Sequence, residues 1–533
     1  MNKTTSLTTC LLAAAAVLTG TAWAQTPPDA GALQQQIERE RQQQLPKRMA
    51  PDKPALPPAI TPAAGVVVTV KQYRFVGNTL LTSEQLAPAV APYLNRPVDF
   101  AQLNAAAAAV AELYRAAGWV VRAYLPQQDI QDGMVRIQIV EAVFGKLQFE
   151  GALPQRLSAS QIERIFTARQ ASGAALNADV LDRALLLADD LPGITVVGSL
   201  VAGASERETD LIVQTADEPL VVGEAALDNT GARSTGSDRL SANVSLNSAF
   251  GIGDLASANL IHSSGSDYLR LASSLPLGSD GWRLGVNASN LRYQLVASEF
   301  NGLHAQGSSD TLGLEASYPM VRTRLANLYL NLNHDQKNFD NQSGGATTTR
   351  YAVAATGIAL NGNLFDNWGG GGANFGNLNW ISGHRDKDIG TTDLYFNKVK
   401  LSLSRQQVIS NALSFYAALS AQESGDRLDS SEKFYLGGAG GVRAYPGSEG
   451  GGDSGVLTSL ELRWKLPEGI SLTGFHDYGQ VRSNDAAMAY GLQGYGLALG
   501  WQTPAGVNLS ASWARRLGTN PNPTATGNDQ DGS

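Results

Sequence analysis

The sequence predicts a membrane β-barrel with an internal gate, preceded by two small α+β modules and an N-terminal helix. Three observations carry this reading. From Leu220 onward the chain is a run of about fifteen short segments in which apolar or small residues alternate with polar ones, as in strands with one face to lipid and one to water. The run is broken once, by a glycine-rich stretch carrying Gly441-Val442-Arg443-Ala444-Tyr445. Shortly afterwards, Phe475-His476-Asp477-Tyr478-Gly479 sets a carboxylate where it can face that arginine.

At 533 residues the chain has room for several domains. The net charge of −8 is the opposite of the basic surplus a nucleic-acid binder shows, so no nucleic-acid partner is expected. Beyond the N-terminus no apolar run approaches the ~18 residues of a membrane helix, which leaves strands to do the spanning. Residues 1–24 read as a secretory signal: Lys3, the apolar stretch Leu11 to Leu18, and the cleavage site Ala22-Trp23-Ala24 before Gln25. Cys10 lies inside this signal and is the only cysteine, so the mature chain has neither disulfides nor thiol chemistry. Its setting, Leu7-Thr8-Thr9-Cys10, precedes the apolar stretch and makes a poor lipidation site. A signal, no anchor helix and a barrel-like half together point to the bacterial outer membrane and its lipid.

Residues 25–45 contain a short helix, with Asp29 as its cap and Leu33 and Ile37 on one side. The remaining Gln, Glu and Arg residues keep it out of lipid, and its apolar surface is too small to nucleate a core. Two readings stand, a free polar helix and a plug resting in a wet pore. A tether at 46–65 follows, with Pro46, Pro51, Pro54, Pro57, Pro58 and Pro62 holding it extended.

Residues 66–142 form a β-α-α-β-β unit. Val68, Val70 and Phe75 lie in one extended stretch that ends at Gly77-Asn78. Thr82 with Gln85 makes a capping box for the first helix, and the second runs from Asp99 to Gly118. Strands Val120 to Leu125 and Met134 to Val140 join across Asp132-Gly133. Residues 143–218 repeat the order: a strand at Leu147 to Glu150, helices at Ser160 to Ala168 and Asp179 to Leu191, then strands at Thr195 to Val201 and Asp210 to Gln214. The two units resemble POTRA domains, the periplasmic modules of outer-membrane transport and assembly proteins. Either they are spacers, or an edge strand of each receives an extended peptide.

Residues 219–533 are the barrel. Strands are expected to begin near 220, 238, 254, 267, 282, 310, 325, 349, 372, 395, 412, 455, 470, 489 and 507. Trp282, Tyr318, Trp380, Trp464 and Trp501 are expected near strand ends, in an interfacial belt. Such barrels use even strand counts, and the chain stops at Asp531-Gly532-Ser533 after a polar segment, so a sixteen-stranded barrel lacking its last strand is expected. The competing fold, a soluble β-solenoid, lacks the tight repeat it requires.

The stretch 423–454 is long and glycine-rich, able to fold back into a narrow lumen. There Arg443 requires a carboxylate, and Asp477 is available, although two separate solvated charges is the plainer reading of the residue types alone. Together, Val442-Arg443-Ala444-Tyr445 and Phe475-x-Asp477-x-Gly479 resemble the paired signatures of two-partner secretion transporters, Val-Arg-Gly-Tyr/Phe and Phe-x-Asp-x-Gly. Ala444 stands where that family has Gly. Leu227-Asp228-Asn229 with Gly231 and Gly236, the N-terminal helix, the proline tether and the POTRA-like pair extend the resemblance over nearly all of the mature chain. It implies an outer-membrane transporter that exports one large unfolded exoprotein of the adhesin or haemolysin type. On this reading Gly441 to Tyr445 are the gating loop, Phe475, Asp477 and Gly479 its lumen partners, and Leu33 and Ile37 the face of the plug.

No enzyme is expected, and no cofactor or metal. Gly450-x-Gly452-x-x-Gly455 matches a dinucleotide fingerprint literally but lies in a barrel loop with no following helix. His262, His304, His334, His384 and His476 are scattered without metal-site spacing. Rival readings are a barrel-assembly factor, whose relatives carry longer POTRA arrays, and a passive porin, which needs no POTRA units.

Overall fold

The computed structural model describes residues 27–43, 67–447, 449–485 and 489–520. The signal, the proline tether and the polar C-terminal segment expected above lie outside the described residues. Helix α1 (Ala30–Gln43) comes first. The first unit follows as β1 (Val68–Thr69), β2 (Gln72–Val76), α2 (Ser83–Val90), β3 (Pro97–Val98), α3 (Phe100–Ala116), β4 (Val121–Tyr124) and β5 (Met134–Glu141). The first helix begins on the expected reciprocal cap, Thr82 with Gln85, and the second, starting at Asp99 as expected, has a reciprocal cap of its own, Asp99 with Gln102.

One expectation is corrected here. The single extended stretch is two strands: β1 pairs with β3 in a small separate sheet, whereas β2 runs parallel to β5. Pro97 brings β3 back against β1, a long-range pairing that local alternation does not signal.

The second unit is β6 (Val143–Phe149), α4 (Ala159–Thr167), α5 (Ala178–Asp189), β7 (Ile194–Ala202) and β8 (Glu208–Asp217). Its sheet order β6-β8-β7 repeats the β2-β5-β4 order of the first, with the last strand central in each. Amphipathic helices supply the cores: Leu86, Val110 and Tyr114 pack on Val135 and Ile137, and Ile162, Phe166 and Leu181 pack on Leu211 and Val213.

The remaining strands form one antiparallel meander. They are β9 (Val221–Asp228), β10 (Arg239–Asn247), β11 (Leu255–Ser263), β12 (Ser266–Leu277) and β13 (Trp282–Gln294). Next come β14 (Gln306–Arg322), β15 (Ala326–Ser343), β16 (Ala346–Asp366), β17 (Gly372–Arg385) and β18 (Leu394–Val408). The last are β19 (Leu413–Glu423), β20 (Ser454–Lys465), β21 (Ile470–Arg482), β22 (Ala489–Gln502) and β23 (Asn508–Leu517). Hydrogen-bonded order runs from β9 to β23 without a crossover, fifteen strands among the described residues. Outward positions such as Leu312, Leu314, Leu378, Leu401 and Leu403 alternate with inward polar ones, which is the side-chain period of two in an aqueous lumen.

Trp282, Tyr318, Trp464 and Trp501 lie toward the strand ends nearest the second unit, with Trp282 stacked on Tyr318 at 4.8 Å. Trp380 departs from expectation: it sits inside β17, opposite Ile358 and Val399. Strands of this length exceed the ~10 residues that span the hydrocarbon, so a position within the strand need not lie at its end.

The second unit docks on the near turns of the barrel. Arg322 grips Asp190 with two bonds of 2.7 and 2.8 Å, Arg324 meets Asp182 at 2.7 Å, and Arg183 donates to the Pro319 carbonyl. Pro319 flanks a bulge in β14, where a residue without an N–H is tolerated.

Candidate gate: the inward loop and the lumen helix

The 424–453 connection between β19 and β20 folds inward instead of extending away. Its backbone closes on itself, with the Val442 N–H donating to the Leu436 carbonyl at 2.8 Å and the Gly438 N–H to the Tyr445 carbonyl at 2.8 Å. A side chain at Gly441 would strike the Leu436 carbonyl at 2.0 Å, so only glycine allows this reversal. Val442 and Tyr445 are buried with Leu436, Leu457, Val481 and Leu492, an apolar seat that holds the loop against β20–β22.

From this seat Arg443 reaches β21. Its Nε donates to Asp477 Oδ2 and one terminal nitrogen to Oδ1, each at 2.8 Å, the planar fork-to-fork geometry that lysine cannot make. Asp477 is completely buried, and also accepts the Arg443 backbone N–H at 3.2 Å and the Ser459 hydroxyl at 2.7 Å. The guanidinium lies 3.5 Å over the centre of the Phe475 ring. Its other terminal nitrogen meets Glu461 at 2.9 Å, and Glu461 is balanced in turn by Arg463 at 2.6 Å. Gly479 lets Leu436 close on β21, since an added methyl would meet that side chain at 2.6 Å. The Ala444 methyl rests against Gly494, which lacks the Cβ that would meet it at 2.9 Å.

The structure thus brings Val442, Arg443, Ala444, Tyr445, Phe475, Asp477 and Gly479 together. It adds Ser459 and Glu461, which sequence reasoning missed. Their signal was weak but present: Ser459, Glu461 and Arg463 alternate with Leu460 and Leu462, so charged residues occupy lumen-facing positions of β20.

Helix α1 lies in the lumen. Leu33 and Ile37 are buried against Tyr268, Leu291, Tyr293 and Phe339 of the wall. The helix nucleates no core of its own, because the wall supplies the apolar partners. Asp29 Oδ1 accepts the Ala32 N–H at 2.9 Å, capping the helix, while its Oδ2 accepts the hydroxyl of Ser430 in the loop at 2.8 Å. Arg39 donates to the carbonyls of Tyr435 and Gly437, and Gln34 to Thr311 at 2.6 Å. Lys337 on β15 lies 3.7 Å from Glu38 of the helix and 3.2 Å from Glu432 of the loop, while Lys398 on β18 holds Glu432 at 2.7 Å. These polar contacts were not foreseen, since only the apolar stripe of the helix has a local signature.

Among the described residues no three His, Cys, Asp or Glu side chains are grouped to hold a metal.

A barrel with two POTRA-type units, an inward loop and a helix in its lumen defines an outer-membrane protein transporter. The profile of the haemolysin secretion/activation protein family ShlB/FhaC/HecB matches residues 207–503, and that of the ShlB-type POTRA domain matches residues 68–142. The chain belongs to this family of two-partner secretion transporters, which move a secreted partner protein across the outer membrane. Relatives include the heme/hemopexin transporter protein HuxB of Haemophilus influenzae strain 86-028NP, 25% identical over 83% of this chain and 82% of its own. The outer membrane transporter CdiB of Dickeya dadantii is 25% identical over 84% of this chain and 81% of its own. Among solved structures, CdiB from Escherichia coli superposes with a TM-score of 0.75 at 20% identity, over 93% of this chain and 97% of that one. CdiB from Acinetobacter baumannii gives 0.69 at 16% identity over the same shares, and both show the same fold.

Proposed function

We propose that the transported partner is one large exoprotein of the adhesin or haemolysin type, which arrives unfolded from the periplasm. The POTRA units face that compartment and recognise it by strand addition. Strand β7 is the acceptor the structure favours: it is an edge of its sheet, with Val197, Leu200 and Val201 exposed along it. Helix α1 then leaves the lumen, the loop pinned by Arg443 and Asp477 rearranges, and the chain passes through. Folding of the cargo outside drives export without ATP.

One observation carries this reading. The lumen is occupied by two separate elements, α1 and the inward loop, each held by discrete ion pairs and hydrogen bonds to the wall and to each other. The apolar part of each attachment is small, Leu33 and Ile37 for the helix and Leu436, Val442 and Tyr445 for the loop, and the polar contacts can be exchanged for water when the elements move.

The test is comparative proteomics of a gene deletion, with culture supernatant separated from outer membrane. The expected result is loss of one very large extracellular protein, with other barrels unchanged. A general fall in outer-membrane barrels would replace export with barrel assembly.

A further inference from the structure

The inner wall on the POTRA side of α1 has an unusual composition. Along β15, inward Asn327, Asn331 and Asn333 alternate with outward Leu328, Leu330 and Leu332. On β16 and β17 the inward positions level with them include Asn361, Asn377 and Asn379. Register aligns these groups: Asn331 pairs with Ala359 and Ala359 with Asn379, while Asn361 pairs directly with Asn377. Between the flanking amides β16 is small. A methyl at Gly357 would meet Asn333 Oδ1 at 2.4 Å and Asn379 Oδ1 at 3.2 Å, so its absence lets carboxamides from both neighbouring strands fold over β16.

Two atoms of this strip are buried without a hydrogen-bond partner, Asn331 Nδ2 and Asn379 Oδ1. One is a donor and the other an acceptor, the pair a peptide group requires. Four charges border the strip: Arg322, bonded to Asn327 at 3.0 Å, Asp335, bonded to Asn333 at 3.0 Å, Glu315, opposite Asn333, and Lys400, opposite Asn379. Two are basic and two acidic, so together they give the strip no net electrostatic preference. Elsewhere in the lumen, the charged groups at the helix and loop are engaged with one another.

We propose that this carboxamide strip across β15–β17 is a contact track for an extended, uncharged polar segment of the polypeptide in transit, engaging its backbone amides. The inference deepens the export reading and rests on it for the source of that polypeptide. Neutral amides suit the task because each bond is modest and readily exchanged for water, so a chain is guided without being trapped. A charged wall would hold oppositely charged segments and repel like ones.

The test uses the full chain in detergent, carrying S402C on the inner face of β18; the mature sequence has no other cysteine once the signal is removed. The rate of maleimide labelling at that thiol is measured with a short unstructured peptide of Asn, Ser, Thr and Gly, and with one of equal length rich in Lys and Glu. The uncharged peptide is expected to slow labelling, and the charged one to have little effect. Replacing Asn331 and Asn379 by Leu, or Asn361 and Asn377 by Leu in a second variant, is expected to weaken protection by about tenfold, as for loss of one or two peptide hydrogen bonds. Having two variants keeps the test open if one fails to fold. Equal protection by both peptides, or protection unchanged in the Leu variants, overturns the track. The readout needs no cargo: failed secretion with intact protection removes the export reading alone, and normal secretion without protection removes the track alone.

Discussion

At the residue scale, the Arg443–Asp477 pair is a structural lock because neither group has an inexpensive alternative. Asp477 is fully buried, so Arg443→Ala leaves an uncompensated carboxylate at a cost of about 3–5 kcal/mol. Hydrogen exchange across 434–447 should rise sharply in that variant. Arg443→Lys should recover only part of the protection, because an ammonium cannot span Asp477 and Glu461 in the same planar geometry. A second buried carboxylate, Glu141, organises the first POTRA unit. Its Oε1 accepts the backbone N–H groups of Thr79 and Leu80 at 2.7 and 2.8 Å and the Tyr114 hydroxyl at 2.9 Å. Burial alone would raise its pKa, but bonds from Thr79, Leu80 and Tyr114 outweigh it and hold the value below the ordinary one. A lowered folded-state pKa means the contribution is complete above the ordinary carboxylate value and is lost as pH falls through the lowered one. Glu141→Gln should therefore cost about 1–3 kcal/mol at neutral pH, with a smaller difference in acid, read from exchange of the Thr79 and Leu80 amides. Arg443 and Asp477 were legible as a pair only through the two short motifs that carry them, since the residue types alone favoured two separate solvated charges. Glu461 was not, because which inward carboxylate meets Arg443 depends on where the loop lands.

At the element scale, the strands were legible and the helix only half so. Alternation is a local property of each strand, and it placed all fifteen within a few residues. The start of β14 lies at Gln306, ahead of the expected 310, and β16 starts at Ala346, ahead of 349. Both extensions belong to hairpins that run beyond the apolar band, where alternation loses its hydrophobic signal. Helix α1 is held by groups on other elements, and Lys337 is the clearest case because it serves helix and loop at once. Lys337→Met would leave Glu38 and Glu432 without their common counter-ion. In planar bilayers it should open about tenfold more often, equivalent to ~1.4 kcal/mol. An unchanged opening frequency would show that helix and loop are released independently.

At the scale of the whole molecule, the second POTRA unit is fixed to the barrel by Arg322–Asp190 and Arg324–Asp182. Asp190→Arg should loosen the joint by about 1–2 kcal/mol, the pair being partly exposed, and Arg322→Asp in the same chain should restore it. Spin-label distances between α5 and the β14–β15 turn would report both outcomes. This joint had no signature in the sequence, because its arginines and aspartates are distant in the chain and individually ordinary. The sequence by itself determined the modular order, the repeated β-α-α-β-β units, the strand pattern and the identity of the Arg443–Asp477 pair. Each of these is written in local periodicity, in caps, or in short motifs. Only the tertiary structure decided that α1 lies in the lumen, that Glu38 and Glu432 share Lys337, and that asparagines of three strands form one strip. The reason is physical: periodicity assigns a face to each residue, whereas partners across a lumen are chosen by strand register and loop path, which no short stretch of chain contains.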